Sequence, residues 1–435
     1  MTDQTARMHK GVDLWAVVAL GLGTAVGVAI FSVIAPATAL AGPGMLLAVV
    51  VAAVPMFVIA MTYAFMGSAL PTSGASFEWS RRFVHPFVGY LIAWMRIVSN
   101  VGAMLILALV MVRYLSMVIP LPTKPTMLAA FVIFFLANYF GVGLAARLQV
   151  ILMGALVVLF IVFSAWGAPH VQATQFEPFL PNGTAGMLAA IPLLIGLFFG
   201  IEAATEIGDE VKDSKKTIPL GIGLSILTAV VLYLMVGAVA MGVIGPEALA
   251  KSETPLLDAA TPFMGPVAKP LIVCAAVIAI AKSINSLYLG FSRSLFAMAR
   301  EGMLPAALAK VHEKHGTPHF ALATILGATC LGLLAPMNLT SLFLAVNIPT
   351  LLKYAATCIA ATVVVRKHPE IYDGARFKLS KGATVGWAYA GCVASLVVAV
   401  LGFSADWTPY AALAVWAAIG VAYYAVSGRQ RAAAA

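Results

Sequence analysis

Five ionisable side chains lie within long apolar stretches of the sequence and are the residues best placed for chemistry: Arg96, Glu202, Glu206, Lys282 and Lys353. A charged group near the centre of a bilayer is costly, so such residues mark substrate pathways, ion coupling or gating. Glu202 and Glu206 are spaced i, i+4 and are therefore expected to share one face of a helix. This pattern predicts the binding or coupling of a charged solute.

Motifs for metal or nucleophilic catalysis do not occur in the sequence. It has no His-Glu-x-x-His, Cys-x-x-Cys, phosphate loop or nucleophile elbow. The histidines fall in loops or at the ends of apolar runs, and the cysteines lie in apolar runs without the spacing of a disulfide or zinc site. We therefore expect no enzyme activity, no metal and no cofactor.

The composition is that of a polytopic membrane protein. Of 435 residues, 62% are hydrophobic and only 10% are charged, whereas soluble domains are about 45–50% apolar and about 25% charged. Apolar runs of about 20 residues, long enough to span a bilayer, recur from end to end. We predict an all-α integral membrane protein with about twelve transmembrane helices, at roughly 14–38, 43–68, 86–118, 126–141, 148–168, 187–208, 219–244, 267–299, 318–334, 340–365, 384–403 and 408–427.

The first span contains a stretch that weakens a helix, Leu20–Phe31, with Gly21, Gly23 and Gly27. Backbone groups exposed in this way are tolerated in hydrocarbon only where they line a cavity or face other protein. Close helix packing through small residues is the alternative reading. The sixth span is interrupted similarly, at Phe198–Glu202. Interruptions at matching positions of two halves point to the midplane site of a transporter, so we expect a ligand site between them.

Four blocks of the sequence, in order, resemble the motifs of the amino acid–polyamine–organocation superfamily. They lie within Gly23–Phe31, Pro71–Tyr90, Phe199–Pro219 and Ser292–Pro305. The last is the most specific, because it follows the family pattern Arg-x-x-x-Ala-Met-Ala-Arg-Asp-Gly-x-Leu-Pro almost letter for letter.

This resemblance implies an architecture and a domain order. The core is expected to be a LeuT-like five-plus-five inverted repeat in which helices 1 and 6 are discontinuous. We place the first repeat at 14–168, the second at 169–366 and two additional helices at 367–428. A cytoplasmic N-terminus, 1–13, and a cytoplasmic tail, 429–435, complete the chain.

The resemblance also implies that a substrate carboxylate meets the backbone of the first break and a substrate amine meets carbonyls of the second. Helix N-termini attract anions and helix C-termini attract cations, which agrees with this arrangement. The expected substrate-binding residues are Gly23, Thr24, Ala25, Gly27, Val28, Ala29, Phe198, Phe199, Gly200, Ile201 and Glu202. The chain has Gly27-Val28-Ala29 where the family usually has Gly-Ser-Gly. The larger side chains are expected to narrow the end of the site that would bind the substrate carboxylate.

The remaining charged residues are expected to serve coupling or gating. Glu202 is expected beside the substrate amine or as carrier of a coupling proton, with a buried lysine partner as the alternative. Lys282 lies near the position where sodium-driven relatives of this fold bind a cation; it either replaces that ion and releases a proton, or neutralises Glu202 or Glu206. Glu206 is expected to form a structural or gating ion pair. Lys353 is expected to act in a gate or to form an ion pair. Arg96 is expected either to bind a substrate carboxylate or to donate hydrogen bonds in a structural role.

The expected function is secondary transport of amino acids across the cytoplasmic membrane by alternating access, coupled to protons or run as exchange. A polyamine or other organic-cation transporter of the same fold is the alternative, favoured by Glu202 and the altered first break. An integral-membrane enzyme or channel is disfavoured by the missing catalytic motifs and the paired interruptions.

The net charge of +9 is distributed as in a membrane protein rather than a nucleic-acid-binding protein. Lysines and arginines concentrate in alternate loops, which by the positive-inside rule places both termini in the cytoplasm. The expected partners are a small-molecule substrate, protons and the lipid bilayer, and no nucleic acid.

Overall fold

The computed structural model describes residues 11–434 with the exception of 28, 335–338 and 406–407. Within these ranges the chain is helical and contains no β-strand, and two isolated bridges pair Val12 with Val211 and Ser73 with Ile207. The predicted all-α membrane protein is therefore confirmed.

The α-helices are α1 (Leu14–Ala25), α2 (Ala29–Ala41), α3 (Met45–Ala69), α4 (Ala75–Phe83), α5 (Pro86–Ser116), α6 (Thr123–Tyr139), α7 (Val142–Gly167), α8 (Gly183–Ile195), α9 (Ser214–Ile244), α10 (Pro246–Lys251), α11 (Pro255–Met264), α12 (Ala268–Arg300), α13 (His319–Gly332), α14 (Leu339–Lys367), α15 (Pro369–Asp373), α16 (Lys381–Ala405) and α17 (Thr408–Ala434). Short 3-10 helices connect several of them, notably between α8 and α9.

Seven helical stretches of the described chain are long and apolar enough to cross a membrane, among them Pro86–Ser116, Ser214–Ile244 and Ile348–Lys367. Large apolar side chains on the outer helices are exposed, as expected of a surface that faces lipid. Ile151 on α7, Leu227 on α9 and Val400 on α16 are between 62% and 71% exposed. The count of twelve spans and the inverted repeat remain predictions.

The first span is broken where the glycine-rich stretch predicts a break. Asp13 caps α1 by accepting a hydrogen bond from the Ala16 N–H at 2.9 Å. The helix ends at Ala25, because Val26 leaves the helical region with φ −83° and ψ 62°, and α2 begins at Ala29. Val28, a predicted site residue in this gap, lies outside the described residues.

The sixth span is broken more extensively than the sequence suggests. The α-helix ends at Ile195, and only short 3-10 helices follow it until Ser214. Gly200 has φ +93°, a backbone conformation that glycine adopts readily. The expectation that Glu202 and Glu206 share one face of an α-helix is therefore wrong, because no regular α-helix carries them.

The two broken spans lie at the centre of the bundle. Helix α1 packs against α7, α9 and α12, and every residue from Ala16 to Gly23 is buried. A helix that is apolar all round belongs inside a large bundle, so this burial fits its sequence. Helices α5 and α14 complete the walls around the two breaks.

Candidate functional site

A cavity of about 230 Å³ lies between the two breaks. Its polar walls come from both breaks and from α5, α12 and α14: Thr24, Arg96, Ser99, Asn100, Glu202, Glu206, Ser283, Ser286, Thr350 and Lys353. Its apolar walls include Phe199 from the second break, Ile106 and Leu107 from α5, and Leu287 and Phe291 from α12. The lining of the cavity thus combines polar groups with large apolar side chains.

The predicted binding residues divide into those that line the cavity and those buried behind it. Thr24, Ala25, Gly27, Phe199, Gly200 and Glu202 line it. Phe198 and Ile201 are almost fully buried, and Gly23 faces Gln149 of α7. The backbone of Ala29 begins α2.

Several cavity residues were missed by the sequence reasoning: Ser99, Asn100, Ser283, Ser286 and Thr350. A signal for most of them was present. Ser99 and Asn100 follow Arg96 at i+3 and i+4 on α5, and Ser286 follows Lys282 at i+4 on α12. Polar residues that accompany a membrane charge at helical spacing belong to the same polar face.

The two breaks touch each other directly. The Thr24 hydroxyl donates to the Gly200 carbonyl at 2.9 Å, and a methyl group on Gly200 would come within 2.3 Å of the Thr24 Cβ. The Tyr233 hydroxyl on α9 lies 3.0 Å from the Ala25 carbonyl and 2.7 Å from the Leu197 carbonyl. The breaks therefore form one hydrogen-bonded unit.

The glycines of the first break serve both of the roles that the sequence left open. A Cβ on Gly21 would lie 2.7 Å from the Ile201 carbonyl oxygen, and one on Gly23 would lie 1.9 Å from the Gln149 amide nitrogen. These two glycines permit close packing. Gly27 lines the cavity.

Lys282 binds the carbonyl end of α1. Its Nζ donates to the carbonyls of Leu22 at 2.9 Å, of Gly23 at 3.2 Å and of Val26, and the lysine is fully buried. Each of these carbonyls belongs to a helix end, where the macrodipole is negative.

Lys282 is therefore not the counter-ion of Glu202 or Glu206, and that alternative is wrong. Glu202 pairs with Lys353 instead, and Glu206 lies beside Arg96. The side chain of Lys282 reaches from α12 to the carbonyl end of α1.

Glu202 has the buried lysine partner that was its alternative role. Its Oε1 accepts from Lys353 Nζ at 2.5 Å, and its Oε2 accepts from the Tyr354 hydroxyl at 3.0 Å. Tyr354 also accepts a hydrogen bond from the Gly200 N–H at 3.2 Å. Glu202, which was the reason for considering an organic-cation substrate, is therefore already hydrogen-bonded to Lys353 and Tyr354.

Glu206 connects the cavity to the segment that precedes α4. Its Oε1 accepts from the Ser76 hydroxyl at 2.5 Å and from Arg96 Nη1 at 3.5 Å, and its carbonyl accepts from the Gly74 N–H at 2.8 Å. Within the described chain, Glu206 Oε2 and Arg96 Nε have no hydrogen-bond partner. The ion pair expected for Glu206 is present but long.

A third ion pair, which we call the Glu210–Arg293 cluster, is fully buried and joins the segment before α9 to α12. Arg293 Nε and Nη2 donate to the two carboxylate oxygens of Glu210 at 2.6 and 2.9 Å, and neither side chain is exposed. The N–H groups of Gly11 and Val12 both donate to the Glu210 carbonyl at 3.1 Å. Both charged residues belong to the motif blocks, although their pairing was not foreseen.

Nearby, α4 is tied to the end of α12 by a surface ion pair. Arg81 contacts Glu78 at 2.7 Å and Glu301 at 3.1 Å. Its hydrogen bonds to the Glu78 carboxylate raise the pKa of Arg81 above its ordinary value.

The cavity walls of the described chain carry hydroxyl groups and the charged side chains of Arg96, Glu202, Glu206 and Lys353. No group of three or more histidine, cysteine, aspartate or glutamate residues that could hold a metal ion occurs there. What the cavity offers is two opposed helix ends, hydroxyl groups and paired charges.

Comparison with known proteins agrees with this arrangement. The family model described as amino acid permease matches residues 12–425. An uncharacterized transporter of Mycobacterium tuberculosis is 30% identical over 78% of this chain and 76% of its own length. The branched-chain amino acid permease of Bacillus subtilis is 27% identical over 94% of this chain and 91% of its own.

A methylthioribose transporter of Bacillus subtilis is also 27% identical, over 94% of this chain and 92% of its own length. Relatives at equal identity thus carry names with different substrates, whereas all three are named as transporters or permeases. The chain belongs to the amino acid permease family of the amino acid–polyamine–organocation superfamily, and it is a multi-pass membrane transporter rather than an enzyme.

Proposed function

We propose that this permease moves a zwitterionic amino acid with an apolar side chain across the cytoplasmic membrane by alternating access. The observation that carries the proposal is the meeting of two opposite helix ends at one cavity. Gly27, which precedes α2, and Gly196, which follows α8, both line it.

The helix ends match the two charges of an amino acid. The N-terminus of α2 has N–H groups without intrahelical partners and a positive dipole end, which favours a carboxylate. The C-terminus of α8 has the opposite polarity and favours an ammonium group. A substrate that carries both charges is stabilised at both ends, whereas an amine without a carboxylate uses only one.

The rest of the cavity favours an apolar side chain. Its lining includes four large apolar side chains, Ile106 and Leu107 of α5 and Leu287 and Phe291 of α12. Burial of apolar surface against such a lining contributes about 25 cal/mol per Å². The permease of Bacillus subtilis that resembles this chain is named for branched-chain amino acids, whose side chains are apolar.

We propose protons as the coupling ion, with Lys282 as the residue that releases and rebinds one. The support is that its acceptors are three carbonyls at the end of α1, so a movement of α1 changes the hydrogen bonds of the ammonium group. A buried charge is costly once its hydrogen bonds are lost. We place both termini in the cytoplasm, with the Glu210–Arg293 cluster as the cytoplasmic seal.

Purified protein in proteoliposomes tests the proposal. Uptake of leucine, phenylalanine, glutamate, lysine and putrescine is measured with an inward proton gradient, with a sodium gradient and with neither. We expect leucine or phenylalanine to accumulate when the proton gradient is present. Uptake of putrescine alone would establish the organic-cation alternative, and accumulation driven only by sodium would exclude the role of Lys282.

A further inference from the structure

Lys353 places an ammonium group in the wall of the cavity. The residue is 2% exposed, and its Nζ lies 2.5 Å from Glu202 Oε1. The ring centroids of Tyr63 and Tyr354 lie 5.5 and 4.7 Å from the same nitrogen. A carboxylate flanked by aromatic faces is an environment that recognises ammonium ligands, and here it is filled by a side chain of the protein.

The charges that line the described cavity cancel. Arg96 and Lys353 are positive, and Glu202 and Glu206 are negative. Each oxygen of Glu202 accepts one hydrogen bond, Oε1 from Lys353 and Oε2 from Tyr354. With Lys353 in place, the charge of Glu202 is already paired, so an incoming ammonium group meets a neutral ion pair and not a free carboxylate.

We propose that Lys353 acts as a tethered cation by which this permease excludes substrates that carry a net positive charge. Its ammonium group occupies the position beside Glu202 where the amine of a diamine, or the side-chain amine of a basic amino acid, would otherwise bind. This inference rests on the proposed function and names the substrate class that the same site rejects.

Two effects oppose the displacement of Lys353 from Glu202 by a cationic substrate. The tethered ammonium group competes at a high effective concentration, because it is covalently held beside its acceptor. A cationic substrate that displaced it would leave Lys353 buried without its partner, and unpaired buried charges are strongly destabilising. Exclusion of cations by a built-in charge is therefore a repulsive element of specificity.

Removal of the tethered cation should create a binding site. In Lys353→Ala, Glu202 keeps its contact with Tyr354 and gains an empty space of lysine length. We expect cadaverine to inhibit leucine uptake at least about tenfold more strongly in Lys353→Ala than in the wild type. We also expect cadaverine to raise the thermal unfolding temperature of detergent-solubilised Lys353→Ala, but not that of the wild type.

Two variants serve as controls. The double variant Glu202→Gln with Lys353→Met removes both charges, so the unfolding temperature of the folded double variant should not respond to cadaverine. Lys251→Ala removes an exposed lysine on α10 and should behave as the wild type. Where Lys353→Ala yields too little folded protein, Lys353→Val also removes the ammonium group and leaves the space beyond Cγ empty, so it should show the same response to cadaverine.

The outcomes separate the two proposals. Leucine uptake by the wild type tests the proposed function and does not depend on Lys353. A folded Lys353→Ala or Lys353→Val whose unfolding temperature does not respond to cadaverine would overturn the tethered-cation inference alone. A wild type that already transports cadaverine would overturn it as well.

Discussion

The two breaks use the same backbone device but are held in different ways. At the first break, Lys282 and Ser283 of α12 bind the carbonyl end of α1, and the lysine has no carboxylate partner among the described residues. At the second break, Tyr354 and Lys353 of α14 engage Gly200 and Glu202, and the charges there are paired.

This difference indicates that an interrupted helix determines the position of a binding site, whereas the side chains that contact the break determine its role. At the first break, the acceptors of Lys282 are peptide carbonyls, so the stability of its protonated form depends on the position of α1. The second break is electrically neutral, so it can distinguish substrates by charge without itself changing charge. Ion coupling fits the first, and substrate selection fits the second.

The tightness of the second break can be tested with Gly200→Ala. The added methyl would lie 2.3 Å from the Thr24 Cβ, and φ +93° is strained for alanine. We expect leucine uptake to fall about 100-fold, since displacements of about 1 Å at a binding site cost this much. Initial rates in proteoliposomes provide the measurement. Gly223→Ala on α9, where an added Cβ meets no atom within 4 Å, is the control and should remain active.

The charge of the first break can be tested with Lys282→Gln. The variant retains a donor for the α1 carbonyls but has no titratable ammonium group. We expect accumulation driven by a proton gradient to fall about tenfold or more, while leucine exchange between loaded vesicles continues. Equal loss of both activities would instead indicate that Lys282 is structural. Unchanged accumulation would contradict the assignment of coupling to this break.

The hydrogen bonds that join the breaks can be tested with Tyr233→Phe. This change removes the hydroxyl that lies within hydrogen-bond distance of the Ala25 and Leu197 carbonyls. Buried groups left without a partner cost about 1–3 kcal/mol. We expect a lower unfolding temperature and slower uptake, with proton coupling intact. Tyr389→Phe on α16, which lies at the exposed surface, should leave both quantities unchanged.

The smallest effect is expected from Gly27→Ala. The new methyl would lie 2.9 Å from the Ser283 hydroxyl, which can rotate away, and no positive φ is involved. We expect uptake of leucine to change by a factor of about two to five, corresponding to about 1 kcal/mol or less. A loss as large as that of Gly200→Ala would show that the two breaks are equally tight.

The sequence predicts the positions of the breaks well, because the glycines that cause them are local. Gly27 and Gly200 weaken a helix wherever the rest of the chain lies. The family assignment follows from motif blocks that are equally local. Both kinds of signal can be read along the chain without its three-dimensional arrangement.

The pairing of charges was not predictable in the same way. Glu202 and Lys353 are 151 positions apart, and their contact depends on how α14 packs against the second break. The assumption that the sixth span resumes as a regular helix placed Glu202 and Glu206 on one face. The 3-10 segments after Gly200 direct these carboxylates to different partners instead.

The Glu210–Arg293 cluster has a mechanical consequence for the first break. Val12, whose N–H donates to the Glu210 carbonyl, lies two residues before α1, a stiff rod of twelve residues. At 1.5 Å per residue this lever is about 18 Å long. We therefore expect separation of Val12 from Val211 to tilt α1 and to shift the oxygen atoms that hold Lys282.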